Sequence, residues 1–146
     1  MNSLYTEITT ILTSCGFKEE KVNNSSFVTS FTRKKLLGNL VFLIKNIDTD
    51  SSDSNLTKQI VDAGREWCLG KSNGESGLNL ILFHDGQVQY DHIKGQVDST
   101  FIHKAICQSI TGINTRNGAL IQEKTWVVIG AVRKALKLMD MKNEKK

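Results

Sequence analysis

The chain has 146 residues, of which 39% are hydrophobic and 23% charged, and its formal net charge is +4. This length suits one domain that buries about two thirds of its unfolded surface, and the composition excludes a largely disordered protein. The charge is compatible with an anionic partner but is weaker than that of most nucleic-acid binders. We therefore expect a single α+β domain over residues 1–141 and a disordered basic tail over residues 142–146.

The cysteines and the N-terminal sequence indicate the cellular compartment of the protein. Cys15, Cys68 and Cys107 are odd in number and far apart, unlike the even sets of secreted, disulfide-rich domains. The N-terminus lacks a basic leader followed by an apolar core, and no apolar run approaches the length of a membrane span. We expect a cytoplasmic protein with reduced thiols and no membrane partner.

The first half of the chain carries clear helix and hairpin patterns. Apolar residues at helical spacing predict a helix over Leu4–Cys15, ended by Gly16. Alternating and apolar runs predict an antiparallel hairpin of Phe27–Lys35 and Leu40–Ile47 around Gly38–Asn39.

The middle of the chain predicts two more helices and a second hairpin. The Leu56–Leu69 helix has an inner stripe that includes Trp67. Asp85–Gly86 suits a tight turn between the strands Leu78–His84 and Gln87–Ile93. The third helix is predicted over Thr100–Ile110.

The C-terminal part predicts a small hairpin and a last helix. Asn117–Gly118 is expected to join Ile113–Arg116 to Ala119–Gln122, and the helix runs over Thr125–Met141. The predicted order is α-ββ-α-ββ-α-(ββ)-α, a mainly antiparallel sheet of four to six strands with helices packed on it.

No spacing of Cys, His, Asp, Glu, Ser or Gly matches a catalytic, metal or phosphate motif. The predicted register places His84 and His92 on opposite faces of the hairpin, so they are not expected to share a metal. His103 has no carboxylate three or four residues away. We therefore predict no catalytic residue, no metal site and no cofactor, and favour a non-enzymatic protein. An active site assembled only in three dimensions stays an open alternative.

The last helix carries apolar residues over more than one face. Trp126, Ile129 and Met139 are candidate interface residues, and deep burial of such side chains is the alternative. We expect a protein-interaction or regulatory module that binds a partner, or itself as a homodimer, through this C-terminal helix.

Three adjacent cations, Arg33, Lys34 and Lys35, approach the tip of the first predicted hairpin. Such a cluster can contact the phosphates of a nucleic acid. The alternative is a solvated turn whose charges protect a strand edge from aggregation. No aromatic residue is interleaved with the cluster, which argues against a stacking platform for single strands.

The order of helix, Gly16–Phe17, strand pair, loop, helix and strand resembles the PD-(D/E)xK nuclease core. That chemistry needs an acid two residues before a lysine, so that carboxylates hold Mg²⁺ beside the general base. The matching stretch is Leu43-Ile44-Lys45, with leucine at the acid position, whereas Asp48 and Asp50 follow the lysine. The resemblance implies, as an alternative function, a nucleic-acid-associated domain with a degenerate fold of this kind. The same element order is similar to the α+β scaffolds with which secretion chaperones dimerise and bind clients.

Overall fold

The computed structural model describes residues 2–22, 27–35, 38–47, 54–71, 75–86, 90–98, 105–125, 128 and 130–144. Within these ranges, six strands form one sheet and four helices pack on its faces. The elements are α1 (Asn2–Ser14), β1 (Lys18–Glu20), β2 (Thr29–Lys35), β3 (Gly38–Ile47), α2 (Ser54–Lys71), β4 (Glu75–His84), α3 (Tyr90–Ile93), β5 (Ala105–Asn114), β6 (Leu120–Lys124) and α4 (Gly130–Glu144).

The strands lie in the sheet in their order along the chain. β1, β2 and β3 form an antiparallel meander, β3, β4 and β5 are parallel, and β6 is antiparallel to β5. Parallel neighbours need a crossover connection, and α2 provides the one between β3 and β4. The α+β class is confirmed, and the sheet is mixed: three of the five strand pairs in the described ranges are antiparallel, and the two in the centre are parallel.

Local patterns in the first half predict the structure well. α1 and α2 match the predicted helices within two residues at either end, and β2 pairs with β3 so that Lys35 lies opposite Gly38. The small hairpin is also confirmed between β5 and β6. There Gly118 has a φ of 76°, a backbone conformation that favours glycine.

The predicted second hairpin is wrong. Its first arm is β4, but the end of its second arm, Tyr90–Ile93, forms the short helix α3. Residues 87–89 of that arm lie outside the described ranges. Both edges of β4 pair with parallel strands, β3 on one side and β5 on the other. A returning antiparallel arm would have no free edge of β4 to pair with.

The helix predicted over Thr100–Ile110 is also wrong, because its second half belongs to β5. β-Branched residues such as Ile106, Ile110 and Thr111 favour a strand, and they are buried between helices on both faces of the sheet. The short apolar run therefore reflects a central parallel strand, which has no alternating pattern to distinguish it from a buried helix.

The last helix begins later and ends later than predicted. α4 starts at Gly130, whose φ is 60°, and continues to Glu144, three residues into the segment expected to be disordered. Lys142 lies in its last turn, where the helix dipole favours a cation. Lys145 and Lys146 lie outside the described residues.

Apolar side chains form a core layer on each face of the sheet. Phe31, Phe42 and Ile81 pack under α1 and α4, whereas Leu43 and Leu80 belong to the layer that α2 covers. α2 packs over β4 and β5, so β1 and β2 lie beyond its edge on that face.

Candidate functional site

The two outer strands present polar side chains beside α2. Lys18 pairs with Thr32, and Glu20 pairs with Ser30. Because alternate residues of a strand share a face, Lys34 lies on the same face as these four. The face is continuous with the one on which Leu43 is buried under α2, since Leu43 pairs with Ser30. The apolar floor under α2 thus gives way to a polar strip on β1 and β2.

A cavity of about 210 Å³ lies where this strip meets the last turns of α2. Trp67, which is half-buried, lines it from the helix, and Ser76 lines it from the start of β4. We call it the Trp67 cavity. Its lining also includes Glu20, Thr32, Lys34, Asn39, Val41 and Cys68.

A second cavity, of about 420 Å³, continues along the outer strands towards the end of α1. We call it the Lys18 cavity, and it is lined by Gly16, Lys18, Glu20, Thr32, Arg33 and Lys34. Glu20, Thr32 and Lys34 line both cavities. The two cavities therefore adjoin along these residues, and we call them together the β1–β2 groove.

Cations outnumber carboxylates among the side chains that line this groove. Lys18 and Lys34 carry positive charge on the face of the groove, Arg33 lines its α1 end, and Glu20 carries the one negative charge among the described lining residues. Lys18 and Lys34 are both solvent-exposed. The groove is thus suited to an anionic ligand.

The structure divides the predicted basic cluster. Lys34 shares a face with Thr32, whereas Arg33 points to the other face, where its Nη1 donates a hydrogen bond of 2.7 Å to the carbonyl oxygen of Cys15. Arg33 therefore caps the C-terminal end of α1 as well as lining the groove. The side chain of Lys35 lies outside the described residues.

The Cys68 thiol lines the Trp67 cavity but is not a nucleophile. Burial raises the pKa of Cys68 to about 12, so the thiol is neutral near pH 7. Cys107 is also buried, and its pKa is likewise raised to about 12, mainly by desolvation. Both cysteines are small core residues, as their apolar surroundings in the sequence predict.

The stretch that resembles the nuclease motif lies in the core. Leu43 is 0% exposed and packs in the layer under α2, while the Nζ of half-buried Lys45 lies 5.9 Å from the ring centroid of Phe27. Asp48 and Asp50 lie outside the described residues. Elsewhere in the described ranges, His, Cys, Asp and Glu side chains do not gather in threes as metal ligands.

Of the three candidate interface residues of the last helix, the structure describes only Met139. Met139 is 1% exposed and packs in the core under α4, which is the burial that the sequence analysis gave as the alternative to an interface. The helical period that places Val132 and Leu136 inward buries it with them. Trp126 and Ile129 lie outside the described residues, and self-association through them stays a prediction.

The two histidines expected on opposite faces of a hairpin are neighbours instead. His84 ends β4 and is 2% exposed, whereas half-buried His92 lies on α3. Burial, and then the charge of His92, lowers the pKa of His84 to about 4. Within the described ranges, neither ring nitrogen of His84 has a hydrogen-bond partner. His103 lies outside those ranges.

Trp67 is the residue of this site that the sequence analysis assigned only to the core. It does pack against the apolar layer under α2, and the same side chain borders a cavity with Lys34. The two residues are 33 positions apart in sequence. Aromatic and cationic side chains are thus combined in space, although they are not interleaved along the chain.

No protein-family model, curated protein or solved structure matches this chain. None of the helices in the described ranges is both long and apolar enough to span a bilayer.

Proposed function

We propose that this domain binds nucleic acid in the β1–β2 groove and does not cleave it. The observation that carries the proposal is the combination of Lys18 and Lys34 with Trp67 along two adjoining cavities, with Arg33 at their α1 end. Phosphates are bound by cations through charge and counterion release, and bases are bound by aromatic rings. This is the nucleic-acid alternative of the sequence analysis, with an aromatic residue added to its basic cluster.

The proposal of binding without cleavage rests on Leu43. A metal-dependent nuclease of the PD-(D/E)xK kind needs a carboxylate at this position, where it would share a metal with other acids. The buried leucine offers no ligand, and a carboxylate in its place would stand in an apolar layer. The Mg²⁺ chemistry of that family is therefore not expected here.

The described elements follow the order on which the resemblance to that nuclease core is based. A helix is followed by antiparallel strands, a crossover helix and a parallel strand, which agrees with the element order that the sequence resembles. Function resides in sites rather than in folds, so the resemblance adds only to the expectation of a nucleic-acid ligand.

Fluorescence anisotropy tests the proposal directly. A labelled oligothymidine strand and a labelled mixed-sequence duplex are titrated with the protein at several salt concentrations. We expect affinity to fall steeply with salt. In Lys18→Gln and in Lys34→Gln, the slope of log K against log salt for the single strand should decrease by about 0.7.

Lys58→Gln is the matched control, because Lys58 is an exposed lysine of α2 that does not line either cavity. It should retain the slope of the unchanged protein within about 0.3. No binding of either substrate at low salt would overturn the proposed function. Equal losses in all three lysine variants would overturn the assignment of binding to this groove.

Incubation of plasmid and single-stranded DNA with Mg²⁺ or Mn²⁺ tests the second half of the proposal. We expect the substrates to remain intact at protein concentrations that saturate binding. Metal-dependent cutting that persists in Lys45→Ala would point to a different site. Cutting that Lys45→Ala abolishes would show that the family chemistry operates despite Leu43.

A further inference from the structure

We propose that the Trp67 cavity holds one unpaired base, and hence that the ligand of the β1–β2 groove is single-stranded. The inference rests on the proposed function, because it specifies the ligand of the same groove. It assigns different parts of the strand to the two cavities, with a base beside Trp67 and the sugar-phosphate chain along Lys18 and Lys34.

The sizes of the cavities support this division. Sites that enclose a whole small ligand occupy roughly 300–1,000 Å³. The Trp67 cavity has about 210 Å³, which suits a single ring system. The Lys18 cavity, with about 420 Å³, offers room for the backbone that carries the base.

The lining of the Trp67 cavity provides the contacts that a base requires. Trp67 is the one aromatic residue among the described residues that line this cavity, and an indole ring is a group on which any base can stack. The amide of Asn39 and the hydroxyl of Ser76 carry both donors and acceptors at the same cavity. These groups match the edge of an unpaired base, which displays donors and acceptors of its own.

The charges at the ends of the helices indicate which of the two cavities takes the phosphates. Trp67 lies in the last turns of α2, where the helix dipole presents partial negative charge and disfavours a phosphate. The C-terminal end of α1 lies beside the Lys18 cavity, but there Arg33 bonds to the carbonyl oxygen of Cys15. A guanidinium therefore offsets the negative end of α1, and phosphates are favoured at the Lys18 cavity.

A paired base cannot occupy this position, because its edge is bonded to the opposite strand and both of its faces are stacked. Flipping it out of the duplex costs a few kcal/mol. The groove should therefore bind single strands more tightly than duplexes, because only an unpaired base can enter the Trp67 cavity. Its cations can contact the phosphates of both.

Tryptophan fluorescence tests the inference with the whole protein. The chain contains two tryptophans, so Trp126→Phe leaves Trp67 as the sole tryptophan reporter. We expect oligothymidine to quench its emission with the same apparent Kd that anisotropy reports. An oligonucleotide of equal length that consists wholly of abasic sites should bind at least fivefold more weakly and cause no quenching.

Substitution of Trp67 gives a second readout. Trp67→Ala should weaken single-strand binding roughly 5- to 150-fold with an unchanged salt slope, and Trp67→Phe should restore most of the affinity. Leu69→Ala is the control, since Leu69 is an exposed apolar residue of the same helix end and lines neither cavity. Thermal melts establish which variants are folded. The comparison with the abasic strand uses a protein that is unchanged at Trp67, so it tests the inference even if a Trp67 variant does not fold.

The outcomes separate the inference from the proposed function. Equal affinity for thymidine and abasic strands, with no change in Trp67 emission, would overturn the base cavity and leave phosphate binding in place. Preference for duplex over single strand would overturn it as well. Failure to bind any of the nucleic acids would remove both proposals.

Discussion

Arg33 and Cys15 are joined by a hydrogen bond of 2.7 Å, which the guanidinium donates to the carbonyl oxygen at the end of α1. The last carbonyl groups of a helix lack partners within the helix, and a cation there also offsets the negative end of the dipole. Arg33 consequently stabilises the fold in addition to adding charge to the groove. Lys34, its neighbour in sequence, faces the groove and makes no such bond among those described.

Replacing Arg33 by lysine should separate these two roles. Arg33→Lys keeps the charge but loses the planar group that reaches the carbonyl, so we expect the free energy of unfolding to fall by about 1 kcal/mol. The salt slope of nucleic-acid binding should stay within about 0.3 of the unchanged value. Urea denaturation and anisotropy measure the two quantities. Unchanged stability would contradict the capping role of Arg33.

Removing the one described carboxylate of the groove should strengthen binding. Glu20 lines both cavities and repels a phosphate that approaches Lys18 or Lys34. In Glu20→Gln we expect the Kd for oligothymidine at low salt to decrease roughly three- to tenfold, with a smaller gain at high salt. Asp91→Asn, at an exposed position of α3, serves as the control. Weaker binding in Glu20→Gln would indicate that the carboxylate contacts the ligand favourably.

The elements that the sequence predicted correctly are those determined by near neighbours. The hairpin of β2 and β3 closes over a few residues, and the turn at Gly118 needs a backbone conformation that glycine adopts readily. β5 could not be predicted in this way. Its partner β4 pairs His84 with Asn114, 30 residues away, and a strand buried on both faces has no alternation to reveal it.

The candidate site was predictable only as a charge cluster. Arg33 and Lys34 are adjacent in sequence, but strand alternation sends them to different faces, which leaves Lys34 to act with Lys18 from the neighbouring strand. Trp67 joins them only because α2 crosses from β3 to β4 and brings its last turns to the edge of the sheet. Such a juxtaposition depends on the packing of the whole domain and has no signal in local spacing.

A partly buried carboxylate joins α2 to the start of β5. One oxygen of Asp98 pairs with the guanidinium of Arg65, and the other accepts a hydrogen bond of 2.8 Å from the backbone N–H of Cys107. The side chains of Arg65 and Asp98 are only 18% and 14% exposed. Both charged groups are therefore largely shielded from water, and each is stabilised by the opposite charge of the other.

Asp98→Asn should therefore lower the free energy of unfolding by about 1–3 kcal/mol, because Arg65 loses its partly buried partner and keeps only the exposed Asp62 among the described carboxylates, while the N–H of Cys107 loses a charged acceptor. Asp62→Asn is the matched control. Asp62 pairs with the same arginine, but it is 59% exposed, and its loss should cost less than about 1 kcal/mol. Denaturant titrations of both variants at pH 7 provide the comparison. Similar losses in the two would contradict a special role of Asp98.

His84 should make the domain sensitive to mild acid. Its pKa in the folded protein is lowered to about 4, mainly by burial, whereas an unfolded chain binds a proton near the ordinary value of 6.5. Between these two values the unfolded state holds more protons than the folded state, so stability decreases as the pH falls. The loss amounts to at most about 3 kcal/mol by pH 4, and above pH 6.5 this residue contributes no pH dependence.

His84→Leu removes the titrating group from its apolar surroundings. We expect the stability of this variant, measured by urea denaturation at intervals from pH 4 to pH 7.5, to depend less on pH below 6.5 than that of the unchanged protein. His92→Gln should retain most of the dependence, because the charge of His92 is the smaller cause of the lowered pKa. If His84→Leu lost stability with acid as steeply as the unchanged chain, the proton uptake would have to occur at another group.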